Sequence, residues 1–222
     1  MPETPAEFGC VFDCDGTLID SMVAWREVED ELARLAGVKL TKEQTDLITT
    51  LTLPEVGDFF HDQLGVGNSP QDVLDLVDEF MADFYSNRAK PRPGALEFVQ
   101  VLAARGVPMA VASSTPSALL RAGIEHAGFA PYMRAVVSVD DVGHSKREPH
   151  VYDCARESLG TPRHCTFGFE DAAYALDTLR TAGYRTVGVY DCDLSGTYEQ
   201  LLSAADRTVR SFHELNSERF PE

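Results

Sequence analysis

The sequence has 222 residues, enough to bury one full core and a smaller second one without disulfide or metal staples. Its 36 acidic residues against 19 basic ones give a formal net charge of −17, which excludes a general binder of nucleic-acid polymers or of anionic membranes, because a phosphate backbone would be repelled. The 44% hydrophobic content excludes a disordered acidic chain, and no apolar run reaches the roughly 18 residues that span a bilayer.

Met1 to Glu7 is acidic and proline-containing, unlike a secretory leader, so a cytoplasmic protein is expected. Phe8-Gly-Cys-Val-Phe12 then reads as a buried central strand of a parallel sheet, broken by the turn Asp13-Cys-Asp-Gly-Thr17. A different stretch follows. Met22 to Leu35 carries Val23, Val28, Leu32 and Leu35 at helical spacing, and Leu40 to Thr49, Leu53 to Leu64 and Pro70 to Phe84 also read as helices. Thr52 and Glu55 have capping-box spacing at the third of these. With no strong strand signal, this stretch is expected to be a helical insert of about 70 residues, small but able to pack as a module.

Pro91-Arg-Pro-Gly94 marks the return to the sheet. The back half alternates strand and helix: Val107 to Ala112, Ser117 to His126, Ala135 to Val139, Pro149 to Leu159, His164 to Gly168, Asp171 to Ala182 and Thr186 to Tyr190. Arg207 to Val209 adds an edge strand. This order predicts an α/β fold, a Rossmann-like parallel sheet core with an inserted α-helical cap domain. The expected boundaries are 1–17 and 91–222 for the core and 18–90 for the cap. Ligands of such sheets collect at the carboxyl ends of the strands.

Acidic residues fall at those ends. Asp13 and Asp15 meet at one strand mouth, where the bland alternative is an Asp-Gly turn with two solvated caps. Burying both without a cation would be costly, and Mg²⁺ favours carboxylate oxygen. Glu170-Asp171 repeats the pattern; alone it would be an acidic helix N-terminus, but beside Asp13 and Asp15 a metal site is the better joint reading. Asp140-Asp141 is expected to lie in a loop. Ser113, with the N–H groups of Ser114 and Thr115, has the chemistry to hold a phosphoryl oxygen, or is a plain helix cap. Lys146 could neutralise phosphate and carboxylate, or pair with Glu148 at the surface. Together these groups fit phosphoryl transfer, with Asp13 as nucleophile, Asp15 as proton donor and then base, and Mg²⁺, Lys146 and Ser113 holding charge. The five cysteines, Cys10, Cys14, Cys154, Cys165 and Cys192, form no CxxC pair and read as reduced, mostly buried thiols; Cys14 is expected to pack away from the aspartates. No His/Cys spacing marks a zinc site.

Four stretches in order, Phe12-Asp-Cys-Asp-Gly-Thr-Leu-Ile-Asp20, Val111-Ala-Ser-Ser-Thr115, Ser145-Lys-Arg-Glu-Pro149 and Gly168-Phe-Glu-Asp-Ala172, make the chain resemble the haloacid dehalogenase superfamily phosphatases. The resemblance is to the helical-cap branch of β-phosphoglucomutase-like and phosphoglycolate-phosphatase-like proteins. It implies Asp13 as nucleophile and Asp15 as general acid and base. It implies Mg²⁺ on Asp13, the backbone carbonyl of Asp15 and Asp171, with Glu170 helping directly or through water. It gives the phosphoryl group to Ser113 and Lys146. Asp15 argues against a dehalogenase, and the lack of a lysine in Met22 to Leu35 against a phosphonatase. Related mutases usually carry histidine ten residues after the acid/base aspartate, where this chain has Trp25. The third motif usually reads Lys-Pro-x-Pro-Asp; here it is Lys146-Arg-Glu-Pro-His150, with Arg147 solvated or steering an anion and His150 a weaker cap than Asp.

The reading is therefore a Mg²⁺-dependent phosphatase of a small phosphorylated metabolite acting through an aspartyl-phosphate. The alternatives are a sugar-phosphate mutase and a catalytically silent interaction module. Trp25 and Arg26 are candidate substrate contacts in the cap, as are His61, Tyr85, Asn87 and Arg88. Neither a nucleic-acid polymer nor a membrane is expected as partner, and the chain is expected to be a monomer or weak homodimer.

Overall fold

Short segments rich in apolar residues become the strands of one parallel sheet in the computed structural model, which describes residues 7–48, 51, 53–192 and 196–222. The strands are β1 (Gly9–Phe12), β2 (Met109–Ser113), β3 (Ala135–Ser138), β4 (Thr166–Glu170), β5 (Arg185–Val189) and β6 (Arg207–Val209), in spatial order β3-β2-β1-β4-β5-β6. Every neighbouring pair is parallel. The chain builds outward from β1 to β2 and β3, then returns to the other side of β1 for β4. That reversal makes a crevice at the carboxyl ends of β1 and its neighbours.

Between β1 and β2 lie α1 (Met22–Leu35), α2 (Lys42–Ile48), α3 (Leu53–Asp58), α4 (Pro70–Asp83) and α5 (Ala95–Ala104). The third and fourth run on into π-helical turns, Phe59–Gln63 and Phe84–Arg88. After β2 come α6 (Ser117–His126), α7 (Val139–Val142), α8 (His150–Glu157), α9 (Ala173–Thr181) and α10 (Tyr198–Ala204). The chain divides into two compact units: one runs to Ser21 and resumes at Ala89–Glu222, and the other is Met22–Arg88. No helix among the described residues is long and apolar enough to cross a membrane.

In the sheet unit, alternation sends side chains to two different layers. Phe12 and Phe169 stack at 4.5 Å between ring centroids, and Phe98 from α5 packs on Phe169 at 5.7 Å and on Phe212 at 5.3 Å. Phe12, Phe169, Phe98 and Phe212 are all buried, each burial worth about 1.5–3 kcal/mol. A second cluster joins Val11, Ala110 and Ala112 to Val151, Tyr152 and Ala155 of α8 and Ala175 and Leu179 of α9. Gly168 makes that second layer possible: a Cβ there would stand 2.5 Å from Leu179 Cδ1. The glycine lets α9 lie close against β4.

The helical unit is built on narrower stripes. Ala24, Val28 and Leu32 are buried along α1, with Ala33, whereas the expected Val23 and Leu35 are 49% and 46% exposed. The small Ala24 and Ala33 belong to the inward stripe in their place. On α4, Ser69 caps the helix by accepting from Asp72 N at 3.2 Å, Pro70 opens it, and Val73, Val77 and Met81 are buried one turn apart. Arg88 pairs with Glu27 of α1 at 2.9 Å and with Asp83 of α4 at 2.9 Å, and lies over the Phe80 ring at 4.7 Å.

Several expected elements differ. The third helix of the insert yields to a π-turn after Asp58, and Thr49 and Thr52 lie outside the described residues. The strand expected at His164 begins at Thr166, because Arg163–Cys165 form a 3₁₀ turn first. Asp140 and Asp141 are not loop residues: they sit in α7, where Asp141 accepts from Ser138 N at 2.9 Å and the Ser138 hydroxyl accepts from Asp140 N at 3.2 Å. Of the cysteines, only Cys10 and Cys14 are buried; Cys165 and Cys192 are half-buried and Cys154 is exposed. The helices α5 and α10 have no counterpart in the sequence reading.

Candidate active site

Parallel register sets the site. Phe12 lies opposite Phe169, and Asp13 N donates to Phe169 O at 2.9 Å, so Asp13 and Glu170 leave the sheet side by side. Asp13, Lys146, Glu170 and Asp171 are all buried. Lys146 Nζ donates to Asp13 Oδ1 and, at 2.7 Å, to Glu170 Oε1. Tyr152 of α8 donates its phenol to the same Glu170 oxygen at 2.7 Å. Donor oxygens of Asp13, Glu170 and Asp171 lie within 4.8 Å of one another. Lys146 is thus no surface partner of Glu148; its ammonium is enclosed by carboxylates.

The electrostatics follow from that enclosure. Burial would lower the Lys146 pKa, but Asp13 and Glu170 outweigh it and hold the ammonium charged well above its usual range. Burial pushes the Asp13 carboxyl well up; Lys146 opposes this, while Glu170, Asp171 and Asp15 add to it. Burial, reinforced by Glu170, also raises the Tyr152 phenol, so it remains a donor. Three buried carboxylates thus face one ammonium, and Glu170 Oε2 is buried with no hydrogen-bond partner among the described residues. A small, hard divalent cation fits this donor set: it would offset the excess charge and suit the all-oxygen ligands.

The turn after Asp13 is shaped for close approach. Gly16 has φ +73°, and its N–H donates to Ile19 O at 3.0 Å. A Cβ at Gly16 would lie 2.5 Å from Asp171 Oδ2, so only glycine seats the turn against that carboxylate. Cys14 is buried and its thiol pKa is raised, first by burial and then by Asp15 and Asp13, which leaves it a packing group.

Asp15 is oriented from β2 and the turn beyond it. Thr115 Oγ1 donates to Asp15 Oδ2. The Ser113 hydroxyl donates to Thr115 Oγ1 at 3.1 Å and accepts from Thr115 N at 3.0 Å, while Ser138 Oγ holds Thr115 O at 2.7 Å. Ser113 is buried at the end of β2 and Ser114 beside it is exposed. The Thr115 hydroxyl and Tyr152 were not legible as site groups in the sequence. Their only signals are adjacency to Ser113-Ser114 and a place on the helix that follows Lys146.

The other expected residues have different surroundings. Arg147 is exposed, with its guanidinium 4.9 Å from the Tyr174 ring centroid. His150 is the first residue of α8, and the cap position belongs to Pro149. In the helical unit Trp25 is half-buried, Arg26 exposed and Tyr85 buried. His61 Nδ1 lies 3.0 Å from Val66 O and Asn87 donates to Asp83 at 2.9 Å; with Arg88, these two are engaged inside their own unit.

Residues 9–183 match the profile of a family described as hydrolase, haloacid dehalogenase-like hydrolase. The chain is 28% identical over 180 residues to a phosphoglycolate phosphatase of Rhodobacter capsulatus, covering 78% of this chain and 80% of that one. It is 27% identical over 203 residues to a fructose-1-phosphate phosphatase of Escherichia coli, covering 82% and 95%. Its fold is similar to that of a hydrolase structure from Deinococcus radiodurans with bound phosphate and sodium, with a TM-score of 0.76, 22% identity, and 96% and 94% of the two chains covered.

Proposed function

We propose, because this chain belongs to the haloacid dehalogenase-like hydrolases, that it is a Mg²⁺-dependent phosphatase of a small phosphorylated metabolite. The observation that carries this reading is the lysine bridge: Lys146 spans Asp13 and Glu170 beside Asp171, at the carboxyl end of β1, and a second aspartate, Asp15, follows in the turn. Phosphatases of phosphoglycolate and of fructose-1-phosphate among its relatives support a small, polar, singly phosphorylated substrate.

In this reading Asp13 attacks phosphorus in line, forming a bond from its carboxylate oxygen as the bond to the leaving oxygen breaks. Asp15, held by Thr115, gives its proton to that leaving oxygen. It then takes a proton from water, which attacks the aspartyl-phosphate and frees Asp13 and inorganic phosphate. Lys146 and the end of β2 at Ser113, with the N–H of Ser114, hold phosphoryl charge. Mg²⁺ on Asp13, Asp171 and the Asp15 carbonyl, with Glu170 beside it, would supply charge neutralisation for the phosphoryl oxygens. The protein's own part is to aim Asp13 beside Lys146 and to orient Asp15 through Thr115.

The test is phosphate release from a panel of sugar phosphates, phosphoglycolate, nucleotides and an aryl phosphate, with and without Mg²⁺, against an Asp13→Asn blank. Turnover that needs Mg²⁺ and vanishes in the blank supports the reading, and the ranking names the substrate class. Isomerised sugar phosphate without free phosphate would instead indicate a mutase. Folded protein that releases nothing above the blank and captures a protein partner would indicate an interaction module.

A further inference from the structure

The segment that offers the Thr115 hydroxyl to Asp15 is not fixed by its own sequence. Thr115 is half-buried, and Pro116 after it has no N–H to give. Pro116 is also the cap residue of α6, and its side chain offers that helix no hydrogen bond. The holds come from the neighbouring strand instead. Ser113 lies opposite Ser138 in the parallel register of β2 and β3, so the two strands end level and their turns leave side by side.

Ser138 is fully buried. Its hydroxyl donates to Thr115 O at 2.7 Å and accepts from Asp140 N at 3.2 Å. The exposed Asp141 accepts from Ser138 N at 2.9 Å on one carboxylate oxygen and from the Ser117 hydroxyl at 2.8 Å on the other. Those two hydrogen bonds, the one from Ser138 first, hold the Asp141 carboxyl below its usual pKa range. Thr115 and Ser117 are thus gripped on either side of Pro116, one by Ser138 and the other by Asp141. A capping box that served only the four-residue α7 would need neither a buried hydroxyl turned back onto Thr115 nor a carboxylate shared with Ser117.

We propose that Ser138 and Asp141 are positioning residues, which fix residues 115–117 and so keep the Thr115 hydroxyl on Asp15; their part in catalysis rests on the phosphatase reading above. They act at one remove, Ser138 on Thr115 O and Thr115 Oγ1 on Asp15 Oδ2. With Thr115 O released, the Thr115–Pro116 peptide plane is free to tilt. A hydroxyl-to-carboxylate bond tolerates only about 0.5 Å of displacement, and an error of about 1 Å in a catalytic group can cost about 100-fold in rate.

Ser138→Ala, Asp141→Ala, Asp141→Glu and the milder Ser117→Ala are compared with the parent in two ways. Steady-state turnover in saturating Mg²⁺ uses whichever panel phosphate reacts fastest, and three-bond couplings to the Thr115 methyl carbon report its rotamer by NMR. Circular dichroism gives the folded fraction of each variant. Ser138→Ala and Asp141→Ala should each lower kcat about 5- to 20-fold with KM within about twofold, and the Thr115 couplings should move from single-rotamer to averaged values. Ser117→Ala should do the same more weakly. Asp141→Glu keeps the capping-box spacing and should recover kcat to within about threefold of the parent. In a Thr115→Val background neither alanine change should slow kcat more than about twofold further, because the hydroxyl they place is gone. Unchanged couplings with unchanged kcat, or losses that multiply with Thr115→Val, overturn the proposal. The couplings do not depend on turnover: a parent that releases no phosphate counts against the phosphatase reading, while the couplings still decide whether Ser138 and Asp141 hold Thr115.

Discussion

Tyr152 and Glu170 are joined across the α8–β4 interface by a 2.7 Å hydrogen bond on the same carboxylate oxygen that accepts from Lys146. Tyr152→Phe keeps the packing and removes one of two donors to a buried charge. It should lower stability to urea by about 1–2 kcal/mol. Turnover should fall by less than about tenfold, since Lys146 still holds that oxygen. An unchanged unfolding midpoint would show that the phenol contributes nothing there.

Thr115 touches the proposed catalytic pair only through its hydroxyl's hydrogen bond to Asp15, so in the proposed reaction it positions that carboxylate. Thr115→Val keeps the shape and loses the donor, so kcat should drop about 10- to 100-fold with KM little changed. Thr115→Ser should restore most of the rate. A loss confined to KM would place Thr115 in substrate binding instead.

Gly16→Ala adds a methyl 2.5 Å from Asp171 Oδ2 at a residue with φ +73°. The left-handed backbone alone costs about 1–2 kcal/mol for a residue with a Cβ. The clash should also displace the carboxylate proposed to hold Mg²⁺, raising the Mg²⁺ concentration for half-maximal turnover at least about tenfold. A Mg²⁺ titration of the variant reads this directly.

On α8, next to Tyr152 in the chain, Asp153 accepts from Arg163 Nε at 2.8 Å and from the Tyr184 phenol at 2.7 Å. Burial pushes the Asp153 carboxyl up, but these hydrogen bonds and the arginine charges outweigh it and hold the pKa below its usual range. A lowered folded-state pKa means stability that is present above the unfolded value, about 3.9, and lost as pH falls through the lower folded value. Asp153→Asn should therefore cost about 1–2 kcal/mol at pH 7, with the gap to the parent closing below about pH 4. Urea unfolding of both proteins across that range measures it.

Strands were the most legible feature of the sequence, because buried parallel strands are continuous apolar runs and their ends here are marked by Asp13 and by Glu170-Asp171. The helical insert was legible from its lack of such runs. Helix α5 was not: its buried Ala95, Phe98, Val99 and Leu102 fall at helical spacing, but Leu96, Val101, Ala103 and Ala104 make the other sides apolar too and blur the stripe. Asp140 and Asp141 misled because a capping box at Ser138 looks, in one dimension, like an acidic loop. Within the site, Lys146 could be read from its neighbourhood, but its burial could not. The Thr115 hydroxyl and Tyr152 act across strands β1, β2 and β4, and no local spacing records a contact between residues so far apart in the chain.

The central position of β1 has a consequence for how the molecule comes into being. Its neighbours pair with it through Met109 on one side and Thr166 on the other, so β1 is not enclosed until β4, more than 150 residues later in the chain, has been made. Until Lys146 has been synthesised, Asp13 has no buried cation to meet, and until Thr166–Glu170 is in place, the Phe12 ring has no Phe169 to cover it. Such non-local pairing makes folding slow and leaves an apolar strand exposed on the nascent chain. The Met22–Arg88 helices form a compact unit from one continuous stretch of chain and have no such wait. On the ribosome the order of events is then the reverse of the order of importance, with the insert taking shape first and the chemistry arriving only when the sheet closes on its own beginning.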